Sequence, residues 1–249
     1  MNIIKIEQAS RFSWPALEEQ ELPIGIFRYT AEANHCSSSL APNLEIRIDP
    51  DELIAQTEIF FAEKNLPPTV RLREGSPQIS SLDQSLSLAG YDLDAHFSVL
   101  ALNLDPYEAD SHSGADKDWH YSHLNDWVRA WHCLRKRDQR LSLIHRVSLA
   151  RVTDPCCFLL FQDHLSRPVA SGFAVLYKGA LGIHGIATSK QSRRKGYATR
   201  AVNQLLQWGK RNGAEWAYLH VDSLNIAAFN LYTKLGFSEM YKYWYRVRH

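Results

Sequence analysis

Residues 186–199 read IATSKQSRRKGYAT, and the fold turns on how they are read. Upstream, Leu181, Ile183, Ile186 and Ala187 make an apolar strand; downstream, Ala201, Val202, Leu205 and Leu206 repeat at helical spacing. Between them stands a basic loop with one glycine, Arg193-Arg194-Lys195-Gly196-Tyr197-Ala198. The first turn of a helix leaves several N–H groups unpaired and carries about half a positive charge, so a strand, loop and helix in this order make a ready anion site. Gly196 lets a phosphate approach the backbone, and Arg193, Arg194, Lys195 and Arg200 add charge around it. A pyrophosphate fits this layout. On these six residues alone, a solvated basic loop capping an ordinary helix fits as well.

Other phosphate loops are excluded. No stretch matches G-x-x-x-x-G-K-[ST], and a single glycine cannot fill G-x-G-x-x-G. The residues downstream decide. Gly213 stands where a C-terminal cap belongs, and Trp216 to Val221 reads as a strand. Asn225 is placed to cap a second helix carrying Ala228, Phe229, Tyr232 and Leu235, which stops at Gly236 before Phe237. In this order and spacing, R-x-x-G-x-A from Arg193 to Ala198, then Asn225, Tyr232 and Leu235-Gly236-Phe237 resemble the GNAT superfamily of N-acetyltransferases, over roughly residues 95 to 249.

The resemblance implies an α/β fold, a mixed sheet flanked by helices, and a site for acetyl-CoA as co-substrate. Carried over residue by residue, it implies that the backbone of Ile186, Ala187 and Thr188 pairs with the pantetheine arm. It puts the pyrophosphate on the amides of Arg194, Lys195, Gly196, Tyr197, Ala198 and Thr199, beside the charge of Arg193, and it makes Asn225 a further cofactor contact. Lys190 replaces a frequent proline, Ala198 a common second glycine and Thr188 a usual valine. These departures leave contacts that run through backbone intact.

The chemistry asks for a base, because an amine with a pKa near 10.4 is protonated at neutral pH and cannot attack a thioester. His220 stands where several family members carry a glutamate, and an imidazole of pKa about 6.5 is mostly neutral and able to accept a proton. His184, on the neighbouring strand, is a second candidate; the family's fourth-strand glutamate falls at Gly182. Tyr232 matches the family's acid, which protonates a leaving thiolate of pKa about 8.5. A backbone N–H near Thr188 would meet the carbonyl oxygen. The plain alternatives are a core aromatic for Tyr232 and a hydrogen-bonded strand histidine for His220. Two functions stay open on these residues: an N-acetyltransferase acting by direct attack of an amine, and a non-catalytic acyl-CoA-binding regulatory module.

Composition sets outer bounds. With 249 residues, 45% apolar and 22% charged, the chain is globular and long enough for two small domains, expected at 1–95 and 96–249. A net charge of +1 gives no field that favours nucleic acid or an anionic membrane, so neither is expected as a partner. No apolar run approaches the roughly eighteen residues of a spanning helix, and MNIIKIEQAS has neither a signal-peptide core nor an Arg-rich presequence. A cytoplasmic protein is expected. Cys36, Cys133, Cys156 and Cys157 form no C-x-x-C pair and read as buried thiols in a reducing compartment. The expected partner is an amine of unspecified kind, and oligomeric state leaves no mark.

The first half contains an echo of the second. ELIAQTEIFFAEKNL, PTVRLRE and SLDQSLSLAGY follow the order helix, strand, helix, Gly-aromatic, as do VNQLLQWGKRNG, WAYLHVD and NIAAFNLYTKLGF. The glycine loop is missing: IRIDPDEL stands in its place, with acids that repel a pyrophosphate. The reading is a tandem chain of two related halves, the first degenerate; chance recurrence of a common α/β unit is the alternative. Gly25 to Tyr29 and Leu44 to Ile48 read as strands with a loop over 32–42 between them, and a helix runs from Asp49-Pro50-Asp51 to about Asn65. His96 to Leu104 reads as a strand, Asp105 to Asp118 as a linker or loop, and Trp119 to Arg140 as amphipathic helix. The resemblance places a helical pair there, over the acceptor site. Strands follow at Cys156 to Gln162 and Pro168 to Tyr177.

After Gly236 only one strand follows, where the family closes with two, so a strand from the other half or a second subunit is expected to complete the sheet. His112, His120, His123 and His132 are weak metal candidates. His120 and His123 could share a helix face, but no third ligand stands at a defined spacing.

Overall fold

The computed structural model of the chain describes residues 2–30, 38–105, 119–138 and 140–249. The first half runs α1 (Ile3–Ser13), β1 (Glu18–Leu22), β2 (Gly25–Tyr29), β3 (Ser39–Pro42), α2 (Pro50–Glu63), β4 (Thr69–Arg73), α3 (Ile79–Leu88) and β5 (Asp92–Asn103). The second runs β6 (Trp119–Tyr121), α4 (Leu124–Arg135), α5 (Arg140–Leu149), β7 (Cys156–Gln162), β8 (Pro168–Tyr177), β9 (Ala180–Thr188), a 3₁₀ turn at Lys190–Ser192, α6 (Tyr197–Arg211), β10 (Trp216–Asp222), α7 (Ile226–Lys234) and β11 (Ser238–Val247). Both helix–strand–helix series of the echo form, α2-β4-α3 and α6-β10-α7.

Two compact units are assembled from interleaved stretches. One gathers Met1–Pro15, Leu100–His220 and Ala227–Ser238; the other gathers Ala16–Val99, Val221–Ile226 and Glu239–His249. The boundary drawn at 95/96 falls inside β5.

In the second of these units, β1, β2 and β3 pair antiparallel in turn, and β3 runs parallel to β4. α2 starts as its sequence requires: the Asp49 carboxylate accepts from the Asp51 N–H at 3.0 Å, Pro50 takes the first turn, and Leu53, Thr57 and Phe61 point inward one turn apart. These side chains close a core with Phe27, Leu40, Val70, Leu72, Leu82 and Leu86.

Two expectations fail here. Ser39–Pro42, assigned to a loop, is a strand whose Leu40 is fully buried, while Leu44 to Ile48 is a turn. The alternation of Leu44, Ile46 and Ile48 misleads, because Ile46 is 41% exposed while the other two are buried. The Gln78 side chain does what a neighbouring strand would have done. Its Nε2 donates to the Ile46 carbonyl at 2.6 Å, and its Oε1 accepts from the Ile48 N–H at 3.1 Å. Residues 31–37, the rest of that loop, lie outside the described residues.

The closing strand has its partner. β11 pairs antiparallel with β4, from Tyr243↔Arg73 to Val247↔Thr69, so the first half of the chain supplies the strand that the C-terminal half lacks.

The first unit orders its strands as the end of β5, then β10, β9, β8, β7 and β6. β8 is antiparallel to both neighbours, and β10 is parallel to β9. α6 buries Ala201, Val202, Leu205, Leu206 and Gly209 at the predicted spacing; each leucine contributes about 1.5–3 kcal/mol of burial. The helix expected from Trp119 begins only at Leu124, since Trp119 to Tyr121 pairs with β7 as a strand. α4 and α5 make the helical pair. α1 was not anticipated. It buries Ile6, Ala9 and Ser13 and is capped by Asn2, whose side chain accepts from the Lys5 N–H at 2.9 Å.

The linker reading of Asp105 to Asp118 falls, beyond Asp105, outside the described residues, as does Cys36. Cys133 is exposed, contrary to expectation, because it sits on the outer face of α4. Cys157 is buried, and burial pushes its thiol up to about 12. No helix among the described residues is long and apolar enough to cross a membrane.

In the second unit Asp83 accepts from Trp244 Nε1 at 2.6 Å and from Arg246 Nε and Nη2 at 2.9 and 2.7 Å. Hydrogen bonding to Arg246, then to Trp244, holds its carboxyl below the usual range against the opposing effect of burial. Asp83→Ala is expected to cost about 1–3 kcal/mol in urea unfolding at pH 7. Because the folded pKa is depressed, that difference is full above about pH 4 and shrinks as pH falls through the folded value. A gap between variant and wild type that stayed constant down to pH 2 would refute the assignment.

Candidate active site

β9 and β10 begin together and then part. Trp216↔Ala180, Ala217↔Leu181 and Tyr218↔Gly182 pair in parallel, and there the pairing ends. β9 stays joined to β8 as far as Ala170↔Thr188. Midway, the register passes from Phe173↔His184 to Ser171↔Ala187, so Gly185 and Ile186 oppose the single residue Gly172. This is a β-bulge. Gly185 takes φ 63, a region that side chains disfavour, and a Cβ there would stand 2.7 Å from the Trp127 ring. Trp127 is itself pinned, its Nε1 donating to the Leu159 and Gly172 carbonyls at 3.2 and 3.0 Å. Ser171 Oγ donates to the Gly185 carbonyl at 3.1 Å. The result is a stretch, Ile186, Ala187 and Thr188, that keeps β8 on one side after β10 has left the other.

β9 leads into the basic loop. Arg194 at φ 64 and Gly196 at φ 82 lie in the left-handed region on either side of Lys195, an alternation that turns successive N–H groups toward an anion. Holding Arg194 there costs about 1–2 kcal/mol. Gly196 precedes the first turn of α6 with no side-chain cap, and no atom lies within 4 Å of where its Cβ would be. Arg193, Arg194 and Lys195 are exposed, while Tyr197, Ala198 and Thr199 are half-buried. Arg200 lies over the Tyr197 ring at 4.5 Å, and that ring packs on Phe161 at 4.8 Å. Uncapped N–H groups, open space at the glycine and local positive charge suit a pyrophosphate.

On the opposite face of β9, Gly182 and His184 look toward α1. Side chains alternate along the strand, so Leu181 instead meets Gly209 of α6. A Cβ at Gly182 would stand 2.6 Å from His184 Nε2, 2.6 Å from Tyr218 Oη and 2.8 Å from Ser13 Oγ. The space beside Gly182 is therefore filled by three polar groups from three elements. His184 Nε2 is shielded from solvent and has no hydrogen-bond partner among the described residues. Burial, reinforced by the nearby His220, lowers its pKa to about 3, so the ring is neutral. His220 Nε2 lies 2.9 Å from Ser10 Oγ, and Tyr218 Oη lies 2.9 Å from Ser13 Oγ.

The two histidines proposed from sequence are thus brought onto one face. Tyr232 belongs to the same unit and is 8% exposed; burial pushes its phenol up to about 12, with Arg135 opposing. Asn225 directly precedes α7, and its N–H donates to the Asp222 carbonyl at 2.8 Å; its segment, Val221–Ile226, groups with the other unit. Ser10, Ser13, Trp14 and Tyr218 escaped the sequence reading. The spacing of Ser10, Ser13 and Trp14 after the Asn2 cap was available as a signal, but nothing tied it to a motif some two hundred residues on. Of the metal candidates, His120 lies in β6 and His123 precedes α4, so they share no helix face. His132 Nε2 is hydrogen-bonded to His145 Nδ1 at 2.9 Å, and His112 lies outside the described residues.

In nitrogen-detected NMR, His184 is expected to show no titration between pH 5 and 8. Its folded pKa lies below the unfolded value of about 6.5, so its contribution to stability is full above pH 6.5 and is lost progressively toward pH 3. A midpoint near 6.5 for this ring would contradict the buried placement.

Residues 116–237 match the model of the Acetyltransferase (GNAT) family. The chain is 25% identical to the uncharacterized N-acetyltransferase YobR of Bacillus subtilis, over 99% of each chain. In fold it is similar to a GCN5-related N-acetyltransferase from Kribbella flavida, with a TM-score of 0.72 at 15% identity, covering 100% of this chain and 96% of that one. It is also similar to a tandem GNAT protein from the clavulanic acid biosynthesis pathway, with a TM-score of 0.59 at 9% identity over 79% and 68% of the two chains. The parted strands, the bulge and the basic loop all lie inside residues 116–237, the segment that matches the model of the GNAT acetyltransferase family.

Proposed function

We propose that the protein is an N-acetyltransferase that moves an acetyl group from acetyl-CoA to a primary amine by direct attack. The observation that carries this reading is the parting of β9 from β10 after Gly182, which leaves one backbone edge of β9 available just before an uncapped helix N-terminus. Along that edge the backbone of Ile186, Ala187 and Thr188 holds the pantetheine arm. The N–H groups from Arg194 to Thr199 hold the pyrophosphate, with Arg193 and Lys195 adding charge. Acetyl-CoA supplies the activated acyl group as a thioester.

His220 takes the proton that the acceptor ammonium must lose. His184, held neutral by burial, keeps a second positive charge out of the site. Tyr232, its phenol pushed up to about 12 by burial, keeps its proton at neutral pH and acts as the acid by holding that proton in a hydrogen bond to the departing sulfur. A backbone N–H near Thr188 faces the carbonyl oxygen.

A degenerate repeat accounts for the first half of the chain. The matching series α2-β4-α3 and α6-β10-α7 support it, as does the likeness to a tandem protein. Free cysteines suit a cytoplasmic setting.

The second reading, a non-catalytic acyl-CoA-binding module, is favoured by one observation: neither family glutamate position holds an acid, being Gly182 and His220 instead. Two variants separate the readings. Gly196→Glu puts bulk and negative charge at the helix N-terminus and is expected to abolish acetyl-CoA binding by calorimetry, with the circular dichroism spectrum unchanged. Tyr232→Phe is expected to keep that binding and lose turnover on an amine panel by about a hundredfold or more. Binding by wild type without turnover on any amine would favour the module, and wild type that does not bind would end both readings.

A further inference from the structure

Side chains of a regular strand share a face when they stand an even number of residues apart. β9 departs from this. Leu181 packs on Gly209 of α6, and Ile186, an odd number of residues on, lies beside Leu205 of the same helix over Gly172. The other face shows the same shift. His184 stacks on Phe173 at 5.0 Å, the Phe173 ring meets Trp127 edge-on at 5.0 Å, and Ala187 packs into that cluster, again an odd number of residues after His184. The bulge at Gly185 and Ile186 supplies the extra residue, so β9 enters the stretch Ile186, Ala187 and Thr188 in inverted phase.

Phase decides what that stretch offers a ligand. Successive residues of a strand turn their N–H and C=O groups to opposite edges, so a slip of one residue exchanges the groups that face β8 with those that face the edge left by β10. Two features hold the phase, and both belong to Trp127. Its ring lies 2.7 Å from where a Gly185 Cβ would stand. Its Nε1 donates to the carbonyl of Gly172, the residue opposite the bulge, at 3.0 Å, and to that of Leu159, the partner of Gly172 across β7 and β8, at 3.2 Å. Gly172 completes the arrangement from the α6 side, since a Cβ there would stand 2.6 Å from Ile186 Cδ1.

We infer that Trp127 is a positioning residue: through its Nε1–H, α4 fixes the phase of β9 and thereby selects which backbone groups of Ile186, Ala187 and Thr188 face the open edge. That those groups hold acetyl-CoA rests on the transferase reading above. Trp131 is the comparison residue. It is stacked on Trp127 at 5.4 Å and is equally part of the core, but its Nε1 has no hydrogen-bond partner among the described residues.

The test puts 3-benzothienylalanine at position 127 of the full chain, which keeps the fused ring and has sulfur in place of the N–H. Cross-strand proton contacts in NMR, recorded without ligand, read the register. Wild type should show Ser171 against Ala187, and the benzothienyl variant should lose that contact in favour of Ser171 against Ile186. By calorimetry the variant is expected to bind acetyl-CoA about tenfold more weakly, the size of one hydrogen bond. Trp131→Phe should lower the thermal midpoint and leave that affinity unchanged. Where the benzothienyl chain does not fold, Gly185→Ala asks the same question from the strand: its Cβ displaces the ring, and the Trp127 indole proton is expected to exchange with solvent about tenfold faster or more. An unchanged Ser171–Ala187 contact in the benzothienyl variant overturns the inference. So does an equal loss of affinity in Trp131→Phe, which marks a merely structural role, or an indole exchange rate that Gly185→Ala does not move. Wild type that shows the Ser171–Ala187 contact and binds no acetyl-CoA ends the transferase reading alone, because the register is read without the cofactor.

Discussion

The parting of two parallel strands governs the first unit. Parallel strands that stay paired satisfy each other's backbone groups along their whole length, and those groups offer nothing to a ligand. Here β9 and β10 share three residue pairs and then diverge, while β8 holds β9 in place. The bulge at Gly185 and Ile186 sits on the β8 side of that divergence. It is maintained by the missing Cβ of Gly185 under the Trp127 ring and by the two carbonyls that receive the Trp127 Nε1–H. Packing therefore maintains an opening, and the basic loop at the end of β9 gives that opening a charged terminus.

The polar cluster on the other face of the strand follows from the same geometry. Because Gly182 is the last β9 residue paired with β10, the side chains of His184 and His220 lie just beyond the fork, and Ser13 of α1 helps fill the space that a side chain at Gly182 would take. Burial keeps the His184 imidazole and the Tyr218 phenol neutral there.

The interleaving of the units has a related cause. A strand leaves its polar edge exposed unless another strand covers it. β11 finds its cover on β4, which precedes it by well over a hundred residues, and β5 runs out of one unit and into the other. Neither half of the chain is a separate body in this arrangement, and that explains why a division at a single point in the sequence falls inside a strand.

Much of the fold was legible in the sequence where structure is local. The helix starts at Asp49-Pro50 and after Gly196, the glycine stops at Gly213 and Gly236, and the apolar strands from Cys156 to Thr188 each depend on near neighbours and could be read directly. So could the anion-suited loop, whose N–H groups, glycine and arginines all lie within a dozen residues. Leu44 to Ile48 could not, because Gln78, some thirty residues away, takes the hydrogen bonds that would have made it a strand. Nor could α1, whose short buried face becomes meaningful only against β8 and β9. The tertiary structure alone decided that Ser10 meets His220 across 210 positions of sequence. The physical reason is that a hydroxyl has no periodicity or spacing to advertise its partner: a hydrogen bond of 2.9 Å is set by where two backbones come to rest, and that is fixed only when the whole core has packed.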